Sequence, residues 1–417
     1  MPIEPSLSFT IPSIHDHAAT LECRIYHPRS LAPAGRGQPW RRHAAIVAHP
    51  YAPLGGCFDD AVVETMTAVL LGQGFLVGTF NFRGAGGSTG RTSWTSKAER
   101  NDYISFAAFV YYYTQFLEPF PQQRNPVIPA DVQTPLSLDG TAETAGQDTT
   151  ENSPVLLLCG YSYGAMVTTL LPPTPAVLEP FATPKAASAA ADIRLRAQHL
   201  AEKQNIILAS VRAALSETPA SPRKTATGMR VGGDEDRRRS QDHVRHSFSV
   251  DADEKIRKGV ADLLQRAKAR QLHPHHQCLP PVPGLSRPQM AYLLVSPPVG
   301  WATSLMTLNV GGLFGKRPKL SKQASESTDT ESKETGTSIN TPEIQKLVDN
   351  PTLTIYGDSD VFVTVKKFRD WAARLQSAPG SRFRAHEVST AGHFYIEAGT
   401  TQRLADAVRA FAAELST

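Results

Sequence analysis

The stretch V-L-L-L-C-G-Y-S-Y-G-A-M-V-T-T-L-L, Val155 to Leu171, decides the fold. Its first five residues form an unbroken apolar run, which is typical of a strand buried on both faces of a parallel sheet. Residues Gly160–Gly164 match the pattern G-x-S-x-G, and Ala165–Leu171 suit a helix. A strand that reverses sharply into a helix holds the serine on a strained turn, with its hydroxyl raised above the sheet. The context favours Ser162 as a nucleophile over the alternative, a glycine-rich packing turn.

The same pattern occurs a second time, at Gly86–Gly90, in a different setting. It is preceded by Arg83-Gly84-Ala85 rather than by a strand, and Arg91-Thr92-Ser93 follows it. We expect this segment to be a flexible turn that leaves the strand Phe75–Phe82. Ser88 is therefore not expected to act as a nucleophile.

Apolar strands and helices alternate along most of the chain. The strand patterns lie at Ser6–Ile11, Thr20–His27, Ala44–His49, Phe75–Phe82, Val155–Cys159, Ala291–Ser296, Thr352–Tyr356 and Arg382–Val388. The helical patterns lie at Asp60–Leu71, Glu99–Leu117, Ala165–Leu171 and Gln402–Leu415. Ser96 and Glu99 match an S-x-x-E capping box at the start of the second helix. The alternation predicts βαβ units and an α/β fold, in which helices cover both faces of a mostly parallel central sheet.

Three compositionally biased segments interrupt this pattern, at Gln122–Ser153, Ser216–Ser249 and Lys316–Thr341. Such polar, charged or Pro-rich sequence buries too little apolar surface to order itself. We therefore predict a core made of residues 1–171 and 291–417. The same reasoning predicts a basic, helical and partly disordered insertion at residues 172–290 and disordered loops at residues 122–153 and 316–341.

The insertion is the basic part of the chain, because Lys and Arg outnumber Asp and Glu by 19 to 12 between Pro172 and Val295. Its stretches Ala190–Leu215 and Glu254–Leu272 have helical apolar spacing. We favour a pair of amphipathic helices packed on the core over contact with a membrane surface. Whether the insertion covers a pocket stays open at this stage.

Length and composition exclude several classes of protein. The chain has 417 residues, a formal net charge of +4 and four cysteines. That charge is too small to indicate nucleic-acid binding, and no apolar run approaches the roughly 18 residues of a transmembrane helix. The first residues lack the pattern of a signal peptide, and four cysteines are too few for a disulfide scaffold. We therefore expect a cytoplasmic protein.

The sequence implies neither a cofactor nor a metal. It contains no Walker loop and no G-x-G-x-x-G after a strand, so a nucleotide cofactor is not expected. The segment His273–Cys278 is rich in histidine, but it lacks a second spaced pair of ligands and lies in a Pro-rich stretch. We therefore expect no zinc site there.

A nucleophilic serine needs a base and an orienting acid. In the chain order Ser, acid, His, both follow Ser162 and lie just beyond strand ends. The strand Thr352–Tyr356 is followed by Gly357-Asp358-Ser359-Asp360, where we favour Asp360 as the acid and assign Asp358 to the turn. His393 follows the last predicted strand and a glycine, and we expect it to be the base.

Two backbone N–H groups are expected to stabilise the oxyanion of an acyl-transfer reaction. One should belong to Tyr163, the residue after the nucleophile. The other should come from the loop that follows the strand Ala44–His49. Because Pro50 has no N–H, Tyr51 is the best second donor.

Taken together, five motifs resemble the α/β-hydrolase superfamily. They are H-P-Y-A-P-L-G-G (His49–Gly56), F-N-F-R-G-A-G-G-S-T-G (Phe80–Gly90), G-Y-S-Y-G (Gly160–Gly164), G-D-S-D (Gly357–Asp360) and A-G-H (Ala391–His393). More narrowly, they are similar to serine hydrolases with H-P-x-x-x-x-G-G and F-N-F-R-G-x-G motifs, neighbours of the dienelactone-hydrolase-like and X-prolyl-peptidase-like groups.

This resemblance implies a serine hydrolase that acts on a small-molecule acyl substrate. Ser162 would be the nucleophile, Asp360 the acid and His393 the base, with Tyr51 and Tyr163 as oxyanion donors. A carboxylic ester is the favoured substrate, and thioesterase or aminopeptidase activity is the alternative within the same chemistry. The sequence near Ser162 has no cluster of acidic residues that would bind a substrate amine. A non-catalytic scaffold that binds a ligand or partner is the alternative outside enzymes.

Overall fold

A computed structural model of the chain describes residues 3–31, 40–93, 95–118, 153–216, 258–259, 278–299 and 341–417. The disordered loops predicted at 122–153 and 316–341 fall outside these ranges, apart from Ser153 and Thr341 at their edges. The same is true of most of Ser216–Ser249, and of the helix predicted at Glu254–Leu272 except for residues 258–259.

The described residues form one eight-stranded sheet with the strand order β1-β2-β4-β3-β5-β6-β7-β8. The strands are β1 (Leu7–Ser13), β2 (Asp16–Tyr26), β3 (Ala44–Ala48), β4 (Leu76–Phe80), β5 (Val155–Tyr161), β6 (Gln289–Val295), β7 (Thr352–Gly357) and β8 (Phe383–Val388). β2 pairs antiparallel with β1 and with β4, and every other pairing is parallel. Each predicted strand is present with shifted ends, and the sheet is that of the α/β-hydrolase fold.

Helices cover both faces of this sheet, because the residues of its central strands point alternately to opposite sides. The helices are α1 (Ala61–Gly72), α2 (Lys97–Phe116), α3 (Tyr163–Leu170), α4 (Thr174–Ala182), α5 (Ala189–Ser216), α6 (Pro342–Asp349), α7 (Val365–Gln376) and α8 (Thr400–Leu415). On β3, Ile46 packs into the core shared with α2, α3 and α5. Its neighbours Ala45 and Val47 pack into the core shared with α1 and α8.

The first helix predicted in the insertion is present as α5, and it packs against α2 and β1. Ile193 and Leu195 are buried there. Arg194 donates hydrogen bonds to the carbonyls of Ala182 and Pro280, at 2.7 and 2.8 Å, and Arg196 donates to the carbonyl of Thr10 at 2.9 Å. The basic residues at this end of α5 therefore hold the helix on the core. No helix in the described part of the chain is long and apolar enough to cross a membrane.

The capping box predicted at the start of α2 is wrong. Ser96 has a left-handed backbone (φ 53°), makes no side-chain cap and donates its hydroxyl to the carbonyl of Thr95. Glu99 is fully buried and accepts hydrogen bonds from the backbone N–H and the hydroxyl of Ser93. Glu99 therefore ties down the loop before α2 rather than capping the helix.

Candidate active site

The turn between β5 and α3 is the sharp reversal that the sequence predicts. Ser162 has φ 53° and ψ −114°, a backbone conformation that L-residues rarely adopt. A Cβ on Gly160 would lie 2.3 Å from the backbone of Gly164, and a Cβ on Gly164 would lie 2.4 Å from the carbonyl oxygen of Ala48. Both glycines are therefore required by close backbone contacts, and the second one brings α3 against the end of β3.

Ser162, His393 and Asp360 form one connected chain of hydrogen bonds. The distance from His393 Nε2 to Ser162 Oγ is 2.8 Å, and that from His393 Nδ1 to Asp360 Oδ2 is 2.7 Å. Only 4% of His393 and 9% of Asp360 are exposed to solvent. Since a carboxylate only accepts hydrogen bonds, the Nδ1 proton points to Asp360 and Nε2 is left to accept from the serine hydroxyl.

Each of these side chains is held by further contacts with the core. Asp360 Oδ1 accepts hydrogen bonds from the backbone N–H groups of Phe362 and Val363, at 2.8 and 3.1 Å. The hydroxyl of Tyr161 donates to the carbonyl of His393 at 3.0 Å, and the Phe362 ring lies edge-on to the imidazole. The carboxylate and the imidazole therefore have little freedom to rotate away from each other.

Asp358, the other acid considered, does not contact His393. Its Oδ1 accepts hydrogen bonds from the backbone N–H of Thr390, at 2.7 Å, and from the hydroxyl of Ser359. It joins the turn after β7 to the turn after β8, the segment that leads to His393. Asp358 therefore serves the loop, while Asp360 reaches the imidazole.

Tyr51 and Tyr163 line the same pocket as Ser162, and their rings lie 5.1 Å apart. Tyr163 is the first residue of α3, so its N–H has no acceptor within the helix. Within the described part of the chain, no hydrogen-bond acceptor takes the N–H of Tyr51. Both residues that we predict as oxyanion donors therefore line the cavity, and neither backbone N–H has an acceptor among the described residues.

His49 fixes the peptide that carries the N–H of Tyr51. Burial lowers the pKa of His49 to about 4, so the ring is neutral near pH 7. Its Nε2 accepts a hydrogen bond from the N–H of Phe82 at 2.9 Å, which leaves the proton on Nδ1. Nδ1 then donates to the carbonyl of Pro50 at 2.6 Å. Because C=O and N–H point in opposite directions in a trans peptide, the N–H of Tyr51 points away from His49.

The F-N-F-R-G motif fastens the strand end next to this loop. Arg83 donates two side-chain hydrogen bonds to the buried Asp102, at 2.9 and 2.7 Å, and a third to Asp16. Asn81 accepts a hydrogen bond from the N–H of Phe58 and donates one to Glu22. The motif therefore stabilises the fold around the site without contacting the serine.

Ser88 belongs to the same network and lies apart from His393. Its hydroxyl donates to the carbonyl of Asn81 at 2.7 Å and accepts from the N–H of Glu22 at 2.9 Å. The second G-x-S-x-G segment is therefore an exposed turn in which Ser88 alone is buried, and the hydrogen-bonded Ser88 is not placed to act as a nucleophile.

A cavity of about 430 Å³ opens over the serine. It is lined by Pro50, Tyr51, Leu54, Gly55, Gly56, Asp60, Tyr161, Ser162, Tyr163, Pro298, Phe362, His393 and Phe394. Asp60, which precedes α1, is a member that the sequence analysis did not single out. A larger cavity, of about 520 Å³, lies beside Arg41 and Arg382 and contains none of the predicted site residues.

No protein-family model and no curated protein sequence matches the chain. Among solved structures, it is similar to an α/β serine hydrolase homologue from Coxiella burnetii, at 13% identity and TM-score 0.41, covering 98% of both chains. A serine hydrolase without a lid from Xanthomonas campestris is 14% identical at TM-score 0.42, covering 100% of this chain and 98% of that one. A Pyrococcus furiosus esterase is 10% identical at TM-score 0.41, covering 99% and 93%.

These likenesses are too distant to carry an argument about the reaction or the substrate. The strand order and the turn at Ser162 are those of the α/β-hydrolase fold, and the predicted resemblance is confirmed at the level of the fold. The narrower subgroup stays a prediction.

Proposed function

We propose that this protein is a serine hydrolase that cleaves a carboxylic ester through an acyl-enzyme intermediate. The observation that carries the proposal is the position of His393, which contacts both Ser162 Oγ and the Asp360 carboxylate at hydrogen-bond distance. In this proposal Ser162 is the nucleophile, His393 the general base and then the general acid, and Asp360 the group that orients the imidazole.

The reaction follows from these positions. Ser162 Oγ attacks the carbonyl carbon of the substrate while its proton passes to His393 Nε2. The N–H groups of Tyr51 and Tyr163 stabilise the negative oxygen of the tetrahedral intermediate. Collapse of that intermediate breaks the bond to the leaving group, which takes the proton from Nε2. Water then attacks the acyl-enzyme with His393 as base, which releases the acid and regenerates Ser162.

The lining of the cavity supports a substrate with an apolar part. Leu54, Phe362 and Phe394 border it, and all three are exposed large apolar side chains. Apolar side chains left open to water beside a reactive serine favour a substrate that covers them. The same serine chemistry would serve a thioesterase or an aminopeptidase, and a cytoplasmic location stays a prediction.

The decisive experiment is labelling with a fluorophosphonate probe, together with hydrolysis of p-nitrophenyl esters of increasing acyl length. Wild type should be labelled and should hydrolyse these esters, and Ser162→Ala should lose both properties. Ser88→Ala is the matched control and should keep both, because Ser88 does not contact His393. Equal labelling of wild type and Ser162→Ala would refute the proposal and leave the non-catalytic scaffold as the better explanation.

A further inference from the structure

Asp60 lines the cavity over Ser162, and only one of its two carboxylate oxygens is used in a contact within the protein. It is the N-cap of α1, and its Oδ1 accepts hydrogen bonds from the N–H groups of Val62, at 2.8 Å, and Val63. No described residue donates a hydrogen bond to Oδ2. The neighbouring Asp59, by contrast, is paired with Arg24.

No lysine or arginine is among the described lining residues that share the cavity with Asp60. Asp60 is the one carboxylate among those lining residues, and most of the others are apolar, aromatic or glycine. Burial raises the pKa of Asp60, while the backbone hydrogen bonds and the attraction of His393 oppose that rise. A carboxylate oxygen without a protein donor is available to a ligand that supplies one, and a hydrogen bond to a charged acceptor is stronger than one to a neutral acceptor.

Asp60 lines the same cavity as Ser162 and His393, and in the proposed reaction His393 delivers the proton to the leaving group. The charge of Asp60 interacts with His393, and it also contributes, after burial, to raising the pKa of Tyr161. Tyr161 in turn holds the backbone of His393. The leaving group therefore lies next to His393, in the cavity that Asp60 also lines.

We propose that Asp60 selects substrates whose leaving group carries a hydrogen-bond donor, either a hydroxyl or a protonated amine. The inference rests on the proposed function, because it assigns a specificity residue to the same reaction. It adds a polar requirement at the leaving group to the apolar character of the rest of the cavity.

Matched esters of hexanoic acid test the proposal. The hydroxyl arm compares the 2-hydroxyethyl ester with the propyl ester, and the amine arm compares the 2-(dimethylamino)ethyl ester with the 3-methylbutyl ester. The ratio of kcat/KM within each pair is measured for wild type and for Asp60→Asn. Comparing the ratios between the two proteins cancels the intrinsic reactivity of the esters.

Asp60→Asn is the informative variant because Asn also caps helices well. Its oxygen can keep the bonds to Val62 and Val63, while its NH₂ group replaces the free oxygen and cannot accept. At least one arm should show the donor-to-alkyl ratio falling roughly tenfold, the size expected for a hydrogen bond to a charged group. Asp60→Ser, which also keeps a cap, should behave in the same way, and Asp59→Asn should behave like wild type.

The outcomes separate this inference from the proposed function. If wild type and Asp60→Asn both hydrolyse p-nitrophenyl esters but the ratios in both arms are unchanged, the role of Asp60 is overturned and the proposed hydrolase function stands. Loss of fluorophosphonate labelling and of all ester hydrolysis in wild type would overturn both. The arm in which the ratio falls identifies the donor as hydroxyl or amine.

Discussion

Replacing Asp360 with Asn tests the orientation of the imidazole more sharply than removing the serine does. The two bonds from Phe362 and Val363 fix Oδ1, and an Asn oxygen can keep them. The NH₂ group then faces His393 Nδ1 at the 2.7 Å position of Oδ2. Because NH₂ only donates, Nδ1 has to become the acceptor and the ring proton moves to Nε2. His393 then presents a proton to Ser162 and cannot act as its base.

We expect kcat of Asp360→Asn on a p-nitrophenyl ester to fall by about 10⁴-fold, as the equivalent change does in a serine protease. The fold should survive, because the bonds that shape the loop are kept, and circular dichroism with thermal melting checks this. Fluorophosphonate labelling should slow in parallel, since it depends on the same activated hydroxyl.

Asp358→Asn is the matched control for this experiment, two residues away in the same loop. It perturbs the hydrogen bond from the N–H of Thr390, so we expect a loss of about 1 kcal/mol in the free energy of unfolding and a kcat close to wild type. A kcat for Asp360→Asn within tenfold of wild type, combined with a collapse in Asp358→Asn, would refute the assignment and transfer the role of the acid to Asp358.

Two further predictions concern residues that support the site. In His49→Asn the side-chain NH₂ lies near the original Nδ1 and can still donate to the carbonyl of Pro50, whereas the amide of His49→Gln reaches only the position of Nε2. We therefore expect kcat on a p-nitrophenyl ester to fall by up to about 10²-fold in the Gln variant and much less in the Asn variant. Burial lowers the pKa of Lys346, which donates to the carbonyl of Thr169 near the end of α3, to about 7. In the unfolded state this lysine keeps its proton up to about pH 10.4, so the folded state is favoured more as pH rises from 7 to 10. Over that range the free energy of unfolding of wild type, measured in urea, should rise relative to that of Lys346→Met by at most about 1.4 kcal/mol per pH unit.

Much of the fold and the order of the candidate triad could be predicted because both depend on short local patterns. The run Val155–Cys159 is apolar at every position, which only a strand buried on both faces requires. Gly160 and Gly164 are fixed by contacts within a few residues or with the adjacent strand. Asp360 and His393 each follow a strand end, and parallel strands bring those ends to one edge of the sheet.

The features that the sequence did not predict depend on tertiary contacts. Asp60 is far from Ser162 in the chain, and it enters the cavity because β3 and β5 are neighbours and α1 begins in the loop after β3. The capping box failed for a similar reason, since Glu99 had a better partner in Ser93 than in the helix end. Asp60 is not close to Ser162 in the sequence, and only the fold places both residues along the same cavity.

Asp360 and Asp60 have different environments, and this difference gives them different roles in the proposed reaction. Asp360 is almost fully buried, accepts two backbone hydrogen bonds and faces Nδ1, so in the proposed reaction its charge would stabilise the imidazolium. Asp60 uses one oxygen to cap α1 and lines the cavity over Ser162, where we propose that the other oxygen accepts a hydrogen bond from the leaving group. Exchanging a charge at Asp360 should therefore change kcat for every ester. Removing the charge of Asp60 should change the order of esters by kcat/KM, while Ser162 keeps its reactivity.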